Sequence, residues 1–184
     1  MKKIHLIFVL AFSLLLTFCK EEKDTTFLIN SDRVGNLQRT TKVIEVDSIF
    51  QADSIIKEEN RIAIGSFPTR FNIYEKGGKH LLTLTPNNDS IATISLVRIY
   101  DPRYLTKEGV GLSSTFKDIK KNYVIKKIVT SLNNVVIFIE NSDLYFTIDK
   151  EELPASLRYD TSINIEEVQI PDDAKIKYLM VGWD

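Results

Sequence analysis

Short runs of β-branched and aromatic residues, each closed by turn residues, make up most of this chain. Lys76–Lys79, which contains Gly77-Gly78, and Glu140–Asp143 each stand between two such runs. Both segments predict a β-hairpin, because their residues favour the tight turns that join antiparallel strands. The strands predicted in this way span residues 54–57, 71–74, 81–85, 91–100, 124–129, 135–139, 144–148 and 176–183.

Two short segments have a helical pattern instead. Residues 115–122 begin with Thr115 and Asp118, the spacing of a capping box. The apolar positions that follow recur at helical spacing: Phe116, Ile119 and Tyr123. A second helix is predicted over residues 41–50, and a helical turn within 149–157. Because helices and strands do not alternate regularly, we predict one α+β domain over residues 27–184, with a mostly antiparallel sheet.

The domain also contains a weak internal similarity. Gly35 and Thr40-Thr41 precede the first predicted helix, and Gly111 and Ser113-Ser114-Thr115 precede the second. Each helix then leads into an extended segment. Two similar halves, 27–100 and 101–184, explain this pattern, and a chance match of a few positions is the alternative.

Composition excludes several classes of protein. With 43% hydrophobic and 27% charged residues, the 184-residue chain is not disordered and suits one domain with a core. The formal net charge is −1, and loss of residues 1–18 with Lys2 and Lys3 makes it −3, so no nucleic-acid partner is expected. The single cysteine excludes an internal disulfide framework and a cysteine-rich metal site.

The N-terminus has the pattern of an export signal. Lys2 and Lys3 precede an apolar run over residues 4–18, which is shorter than the roughly 20 residues of a membrane span. The run ends at Cys19, and charged residues follow at once. This resembles a bacterial lipoprotein signal peptide (1–18), with acylated Cys19 as the new N-terminus and a polar tether over 19–26. A plain signal peptide and an uncleaved anchor are the alternatives, and Phe18 departs from the small residue usual before the cysteine.

The expected compartment follows from this signal. Acyl chains on Cys19 would hold the protein stably at a membrane. The charged run after Cys19 also resembles the surface-export tag of some Gram-negative lipoproteins. We therefore expect a lipid-anchored protein of the outer membrane or cell surface, and both the periplasmic and the outer face remain open.

The segment Ile99–Gly111, the predicted helix and strand after it, and Trp183 resemble part of a known family. It is a family of uncharacterised bacterial outer-membrane lipoproteins, and the resemblance lies mainly in residues 91–183. The resemblance implies the same compartment and an α+β fold. It implies no activity and no site residues.

Few residues of the mature chain suit catalysis. His80 is its sole histidine, and without an identifiable partner we interpret it as a surface histidine beside a hairpin turn. The paired acids, such as Glu151-Glu152, are sequence neighbours whose side chains point in different directions. The sequence contains no nucleophile elbow, phosphate-binding loop or dinucleotide fingerprint. We therefore predict no catalytic residue, no metal site and no cofactor.

Three tyrosines and three lysines each allow two interpretations of their role. Tyr74, Tyr100 and Tyr104 could form a sugar-stacking surface, but strand alternation favours core packing. Lys117, Lys120 and Lys121 could bind an anionic lipid or glycan, and we favour the solvated side of an amphipathic helix.

One short motif occurs more often than the composition predicts. It is Asp followed by Ser or Thr and a small or aliphatic residue, and it resembles the O-glycosylation site of exported proteins in some Gram-negative bacteria. Turn formation and helix capping are the alternative reason for this pattern. The candidate acceptors are Thr25, Ser48, Ser54 and Ser90.

Two functional hypotheses follow. The first is a non-enzymatic, lipid-anchored module that binds an envelope protein or a glycan. The second is a carboxylate-based envelope hydrolase acting on glycan or peptidoglycan, which requires two acids that converge in a cleft. A purely structural role is compatible with the same features.

Overall fold

A computed structural model of the chain describes residues 24–58, 69–159 and 164–183. The predicted signal peptide 1–18, Cys19 and the predicted tether up to residue 23 lie outside the described residues. The described helices are α1 (Val46–Ile49), α2 (Phe116–Asn122) and α3 (Ala155–Arg158), with 3₁₀ turns at Val43–Glu45, Lys150–Glu152 and Glu167–Gln169. The described strands are β1 (Leu28–Asn30), β2 (Arg33–Val34), β3 (Leu37–Gln38), β4 (Ser54–Glu58), β5 (Arg70–Tyr74), β6 (His80–Pro86), β7 (Ile94–Ile99), β8 (Leu105–Thr106), β9 (Ile125–Thr130), β10 (Asn134–Ile139), β11 (Leu144–Asp149) and β12 (Ile176–Gly182).

Eight strands form one antiparallel sheet in the order β4-β5-β6-β7-β12-β11-β10-β9. Strands that follow one another in the chain pair directly, except at the centre, where β7 meets β12. A smaller sheet has the order β3-β2-β1-β8, and its β1 and β8 run parallel with Leu28 opposite Leu105. The fold is therefore mostly antiparallel β with a few short helices, as the sequence predicts.

The local signals in the sequence explain these elements. The backbone N–H of Thr115 donates a hydrogen bond to Asp118 Oδ2 over 2.8 Å, which fixes the start of α2. Gly77, Gly78 and Asn141 have positive φ, which their turns require. The predicted segment 41–50 forms the 3₁₀ turn and α1, and the segment 149–157 forms the second 3₁₀ turn and most of α3. Both hairpins, the α2 helix and the helical turns are thus confirmed.

On each side of residue 100, a short helix is followed by four strands of the large sheet. The part before residue 100 has α1 and then the meander β4–β7, and the part after it has α2 and then β9–β12. In each part, the residue before the first helical turn bridges to the residue just before the last strand. These bridges are Lys42 to Thr93 and Thr115 to Lys175.

The core lies on one face of the large sheet. Leu82, Ile99, Leu179, Phe146 and Ile137 are consecutive cross-strand partners, and each is at most 1% exposed. Burial of such a row provides the main driving force for folding. Buried residues of the helices and of the smaller sheet belong to the same core: Ile29, Val34, Leu37, Val46, Phe116 and Ile119.

Candidate functional surface

The opposite face of the large sheet is partly accessible, and we call it the open face. Its residues alternate along each strand with those of the core. One row crosses all eight strands as direct partners: Ile56, Asn72, Thr83, Arg98, Met180, Tyr145, Phe138 and Lys127. A flanking row comprises Tyr74, His80, Tyr100, Tyr178, Thr147, Val136 and Val129.

Five side chains of the open face form a continuous stack. The ring centroids of Tyr74 and His80 are 4.5 Å apart, and those of His80 and Tyr100 are 3.8 Å apart, with interplanar angles of 22° and 18°. The guanidinium carbon of Arg98 lies 4.8 Å from the Tyr100 centroid and 3.8 Å from the Tyr178 centroid. All five side chains are half-buried, so the rings protect one another and leave part of the stack to solvent.

His80 follows the hairpin turn as expected, but it is not a simple surface residue. Its ring lies between two tyrosine rings, and its Nε2 is 3.2 Å from the Leu82 carbonyl and 3.2 Å from Thr83 Oγ1. Partial burial and the charge of Arg98 lower the pKa of His80, and these effects outweigh the Leu82 carbonyl and Glu58, which raise it. The imidazole is therefore neutral at pH 7 and serves as a stacking group.

Arg98 is a cation without an ionic partner within the part of the chain that the structure describes. Its Nε is buried, and no hydrogen-bond acceptor reaches it there. Tyr100 and Tyr178 cover the guanidinium from two sides, which restricts the rotation of a long side chain. Sequence reasoning missed this residue. The available signal was that Leu96, Arg98 and Tyr100 occupy every second position of one predicted strand and therefore share one face of the sheet.

A second aromatic group continues the central row toward the β9 edge. Phe138 and Tyr145 are stacked at 5.4 Å, and Lys127 Nζ lies 4.6 Å from the Phe138 centroid. Met180 joins the two groups, because it is the direct partner of both Arg98 and Tyr145. The open face thus carries four tyrosines (Tyr74, Tyr100, Tyr145 and Tyr178), Met180 and two stacked cations.

The three tyrosines of the sequence analysis have different environments. Tyr104 is 3% exposed and packs edge-on against Phe27 at 5.0 Å, so it belongs to the core. Tyr74 and Tyr100 lie on the open face, where His80 and Arg98 occupy ring faces that a sugar would need. The core interpretation is correct for Tyr104 and wrong for the other two, and the stacking geometry disfavours sugar binding by ring faces.

Asp101 and Glu75 belong to a structural network of charged groups. Arg103 Nη2 lies 2.6 Å from Asp101 Oδ2 and 2.9 Å from Glu75 Oε1, and Lys79 Nζ lies 3.1 Å from Asp101 Oδ2. Burial of Asp101 raises its pKa, but the hydrogen bonds from Arg103 and Lys79 outweigh burial and hold this pKa below its usual range. A carboxyl group that stays ionised and is bound to two cations is unsuited to donate a proton as a general acid.

The structure also contains two polar clefts. One, of about 530 Å³, is lined by charged groups that include the Lys177–Asp149 ion pair at 2.6 Å. The other, of about 570 Å³, includes Thr41 and Ser48. In residues 24–58, 69–159 and 164–183, no group of three His, Cys, Asp or Glu side chains is arranged to hold a metal ion.

The remaining predicted residues lie on the surface. Ser48, Ser54 and Ser90 are exposed, and Thr25 is half-buried. Ser48 Oγ donates to the Glu45 carbonyl over 2.7 Å. Lys117 and Lys121 are exposed, while Lys120 pairs with Asp172 at 2.6 Å. The preferred interpretation of these lysines, the solvated side of an amphipathic helix, agrees with this arrangement.

Comparison with known proteins adds information on the fold. Neither a protein-family model nor a curated protein matches the chain. The crystal structure of the uncharacterized protein yfeY from Escherichia coli is similar, with a TM-score of 0.57 and 14% sequence identity. The match covers 83% of this chain and 97% of that chain. Across the residues that the structure describes, no helix has the length and apolar character needed to span a membrane.

Proposed function

We propose that this chain is a lipid-anchored envelope protein that binds a partner protein through the open face of its large sheet. The anchor is Cys19, and the location is the outer membrane or the cell surface. The lipobox-like sequence, the polar tether and the resemblance to outer-membrane lipoproteins support the location. The likeness to yfeY supports only the fold.

The composition of the open face carries the proposal. Tyrosine, methionine and arginine are the residue types enriched at protein interfaces and at their energetic hot spots. On this face they form one connected group, and each side chain remains partly accessible. The residues of this group are Tyr74, Tyr100, Tyr178, Tyr145, Met180 and Arg98.

The size of the open face indicates a transient complex. Eight strands about 4.8 Å apart give a width of roughly 34 Å, and five residues per strand give a height of roughly 17 Å. The resulting flat area of about 600 Å² is well below the roughly 1,000–2,500 Å² of accessible surface that each partner buries in an obligate assembly. We expect reversible docking rather than an obligate assembly.

Other occupants and activities are less well supported. A neutral glycan would stack on free ring faces, and those of the central tyrosines are occupied. The envelope hydrolase would need a carboxylic acid and a carboxylate in one cleft. The acids that share Arg103 are instead bound by cations, and Asp101 is fully buried.

The proposal includes an origin of the fold by duplication of 27–100 and 101–184. The helix followed by four strands in each part and the equivalent helix-to-strand bridges support it. Thr93 and Lys175 are separated by the same number of residues as Arg98 and Met180. Arg98 and Met180 are also direct partners in the sheet. The open face would then have Arg98 near its centre, on the pseudo-twofold axis between the halves.

Site-specific photo-crosslinking in intact cells tests the proposed docking. A photoreactive amino acid would replace Ile56 or Val129, which are 54% and 43% exposed at the two sides of the open face. Matched control positions are Ile44 and Val168, which are 84% and 87% exposed and lie outside the large sheet. A discrete adduct of constant mass at the two open-face positions alone is expected. Equal labelling at the control positions, or an adduct with the mass of two chains, contradicts a distinct partner protein.

Protease shaving of intact cells tests the location. Loss of the protein with retention of a periplasmic marker places it on the outer surface, and full protection places it on the periplasmic side. Mass spectrometry of the native protein should show an acylated N-terminal Cys19, and an unmodified Cys19 would refute the lipid anchor. Mass spectrometry of the native protein decides whether Thr25, Ser48, Ser54 and Ser90 carry sugars or are bare.

A further inference from the structure

We infer that Arg98 is a recognition site for a carboxylate group, and that an Asp or Glu side chain of the docked partner protein supplies it. The inference rests on the proposed docking function and adds the chemistry of the contact. Its basis is the geometry around the guanidinium.

Among the described residues, the charge of Arg98 lacks an acidic partner. Its Nε is buried without an acceptor among the described residues, and no acid of the described chain forms an ion pair with it. The Arg98 side chain as a whole is only partly buried, so a group from outside would meet the guanidinium through its Nη atoms rather than through Nε. A charged acceptor such as an oxyanion is the strongest hydrogen-bond partner for these atoms.

The stack prepares Arg98 for such a contact. Tyr178 lies 3.8 Å from the guanidinium carbon on one side, and Tyr100 lies 4.8 Å from it on another. Because the two rings lie against the guanidinium and Nε is buried, we expect an acceptor to bind at the edge formed by the two Nη atoms. A carboxylate binds an arginine in the plane of the guanidinium through two parallel hydrogen bonds. Because the rings already hold the side chain, little rotational freedom is lost on binding.

The surroundings of Arg98 favour a carboxylate over a second cation or a neutral group. His80 is neutral at pH 7, because its pKa is lowered, and Lys127 is the next cation along the central row. Lys127 is exposed and is stacked on Phe138 without an ion pair among the described residues. The centre of the face therefore attracts an acidic surface.

The central position of Arg98 favours a protein as the source of the carboxylate. Hot spots lie near the middle of an interface, where surrounding contacts exclude water. Arg98 is on the fourth strand of eight, and its neighbours are tyrosines and Met180. A uronic acid offers the same group, but on a chain of polar sugars that does not complement Met180, Phe138 and Val136.

The test uses the full acylated chain purified in detergent and the NMR signal of the Arg98 Nε–H group. Acetate should shift this signal in a saturable way, while chloride at equal ionic strength should not. A hexaglutamate peptide should bind about tenfold more tightly than acetate, because it adds contacts around Arg98. Absence of a saturable acetate shift overturns the carboxylate site. Tighter binding of a galacturonate hexamer or of inorganic phosphate than of hexaglutamate overturns the protein source.

Three variants separate recognition from folding. R98Q should weaken hexaglutamate binding by about tenfold, and R98K should weaken it nearly as much because lysine lacks the planar fork. Lys121 is exposed and lies on helix α2, outside the large sheet. K121Q therefore removes one positive charge without changing the open face and should leave hexaglutamate binding unchanged. If the R98K variant keeps both the native amide spectrum and full affinity for hexaglutamate, the guanidinium fork has no role in binding.

The crosslinking variants distinguish the two proposals. Adducts at Ile56 and Val129 that persist in an R98Q background retain the docking function and overturn the role of Arg98. A carboxylate site at Arg98 without any adduct overturns a protein as the source. Loss of the adducts in R98Q, with acetate binding at Arg98 in the wild type, supports both.

Discussion

Replacement of Asp101 by Asn tests the ionic network beneath the loops that connect the central strands. Asp101 lies two residues after the end of β7, and its side chain is 0% exposed. It accepts hydrogen bonds from Arg103 Nε at 2.9 Å, Arg103 Nη2 at 2.6 Å and the backbone N–H of Arg103 at 2.9 Å. Lys79, just before β6, adds a contact at 3.1 Å. The Asp101→Asn variant keeps the shape and removes the charge that these groups surround.

The expected loss of unfolding free energy is about 2–3 kcal/mol. Removal of one partner from a buried ion pair costs about 3–5 kcal/mol. The value here is lower because Arg103 and Lys79 are 38% and 49% exposed, so water can solvate them again. With a urea dependence of about 2 kcal/mol per M, the midpoint of unfolding should fall by about 1–1.5 M.

The dependence on pH gives an independent check. The pKa of Asp101 is lower in the folded than in the unfolded chain, so its charge stabilises the fold above the unfolded value of about 3.9. This contribution is lost as the pH falls through the folded-state pKa. The difference between wild type and variant should therefore be constant from pH 5 to 7 and shrink below about pH 4.

Urea unfolding followed by circular dichroism measures both effects, with Glu75→Gln as the matched control. Glu75 contacts the same Arg103 but is 41% exposed, so its loss should cost less than about 1 kcal/mol. Equal losses for the two variants would refute the argument that burial decides the strength of this network. A difference that stays unchanged down to pH 2 would refute the assignment of the charge to Asp101.

Three further predictions follow from local geometry. Gly35→Ala should destabilise the fold by more than about 2 kcal/mol, because φ is +57° and a Cβ would lie only 2.4 Å from a backbone oxygen. A Cβ at Gly77 would meet no atom within 4 Å, so Gly77→Ala should cost less. Thermal unfolding compares the stability of the two variants. Thr115→Ala should cost about 1 kcal/mol through loss of the α2 cap, and native hydrogen exchange should show faster opening of that helix first. An NMR titration should give His80 a pKa below 6.5, and Arg98→Gln should raise it, because a positive neighbour is removed; an unchanged pKa in that variant contradicts the stack.

Local signals in the sequence predict most elements of the fold. The Thr115–Asp118 spacing and the glycine pair at 77–78 act through their immediate neighbours, so a single sequence contains the necessary information. The strand order does not follow from such signals. Nothing local indicates that β12 inserts beside β7, because this pairing joins residues far apart in the chain.

The same distinction explains the candidate site. The tyrosines at 74 and 100 are visible in the sequence, and the alternation of their strands led to a core interpretation. Both faces of this sheet carry large side chains, so alternation cannot decide which face is buried. Only the register brings Tyr178, which follows Arg98 by eighty positions in the sequence, onto the same guanidinium.

The central position of β12 has a consequence for the order of folding. Strands β4–β7 can pair as soon as they emerge, but the free edge of β7 stays unpaired until residues 176–182 arrive. Because this last contact closes a very long loop, the complete domain forms slowly and late compared with its hairpins. The large sheet is therefore completed only after nearly the whole chain has been synthesised, although its first four strands can pair earlier.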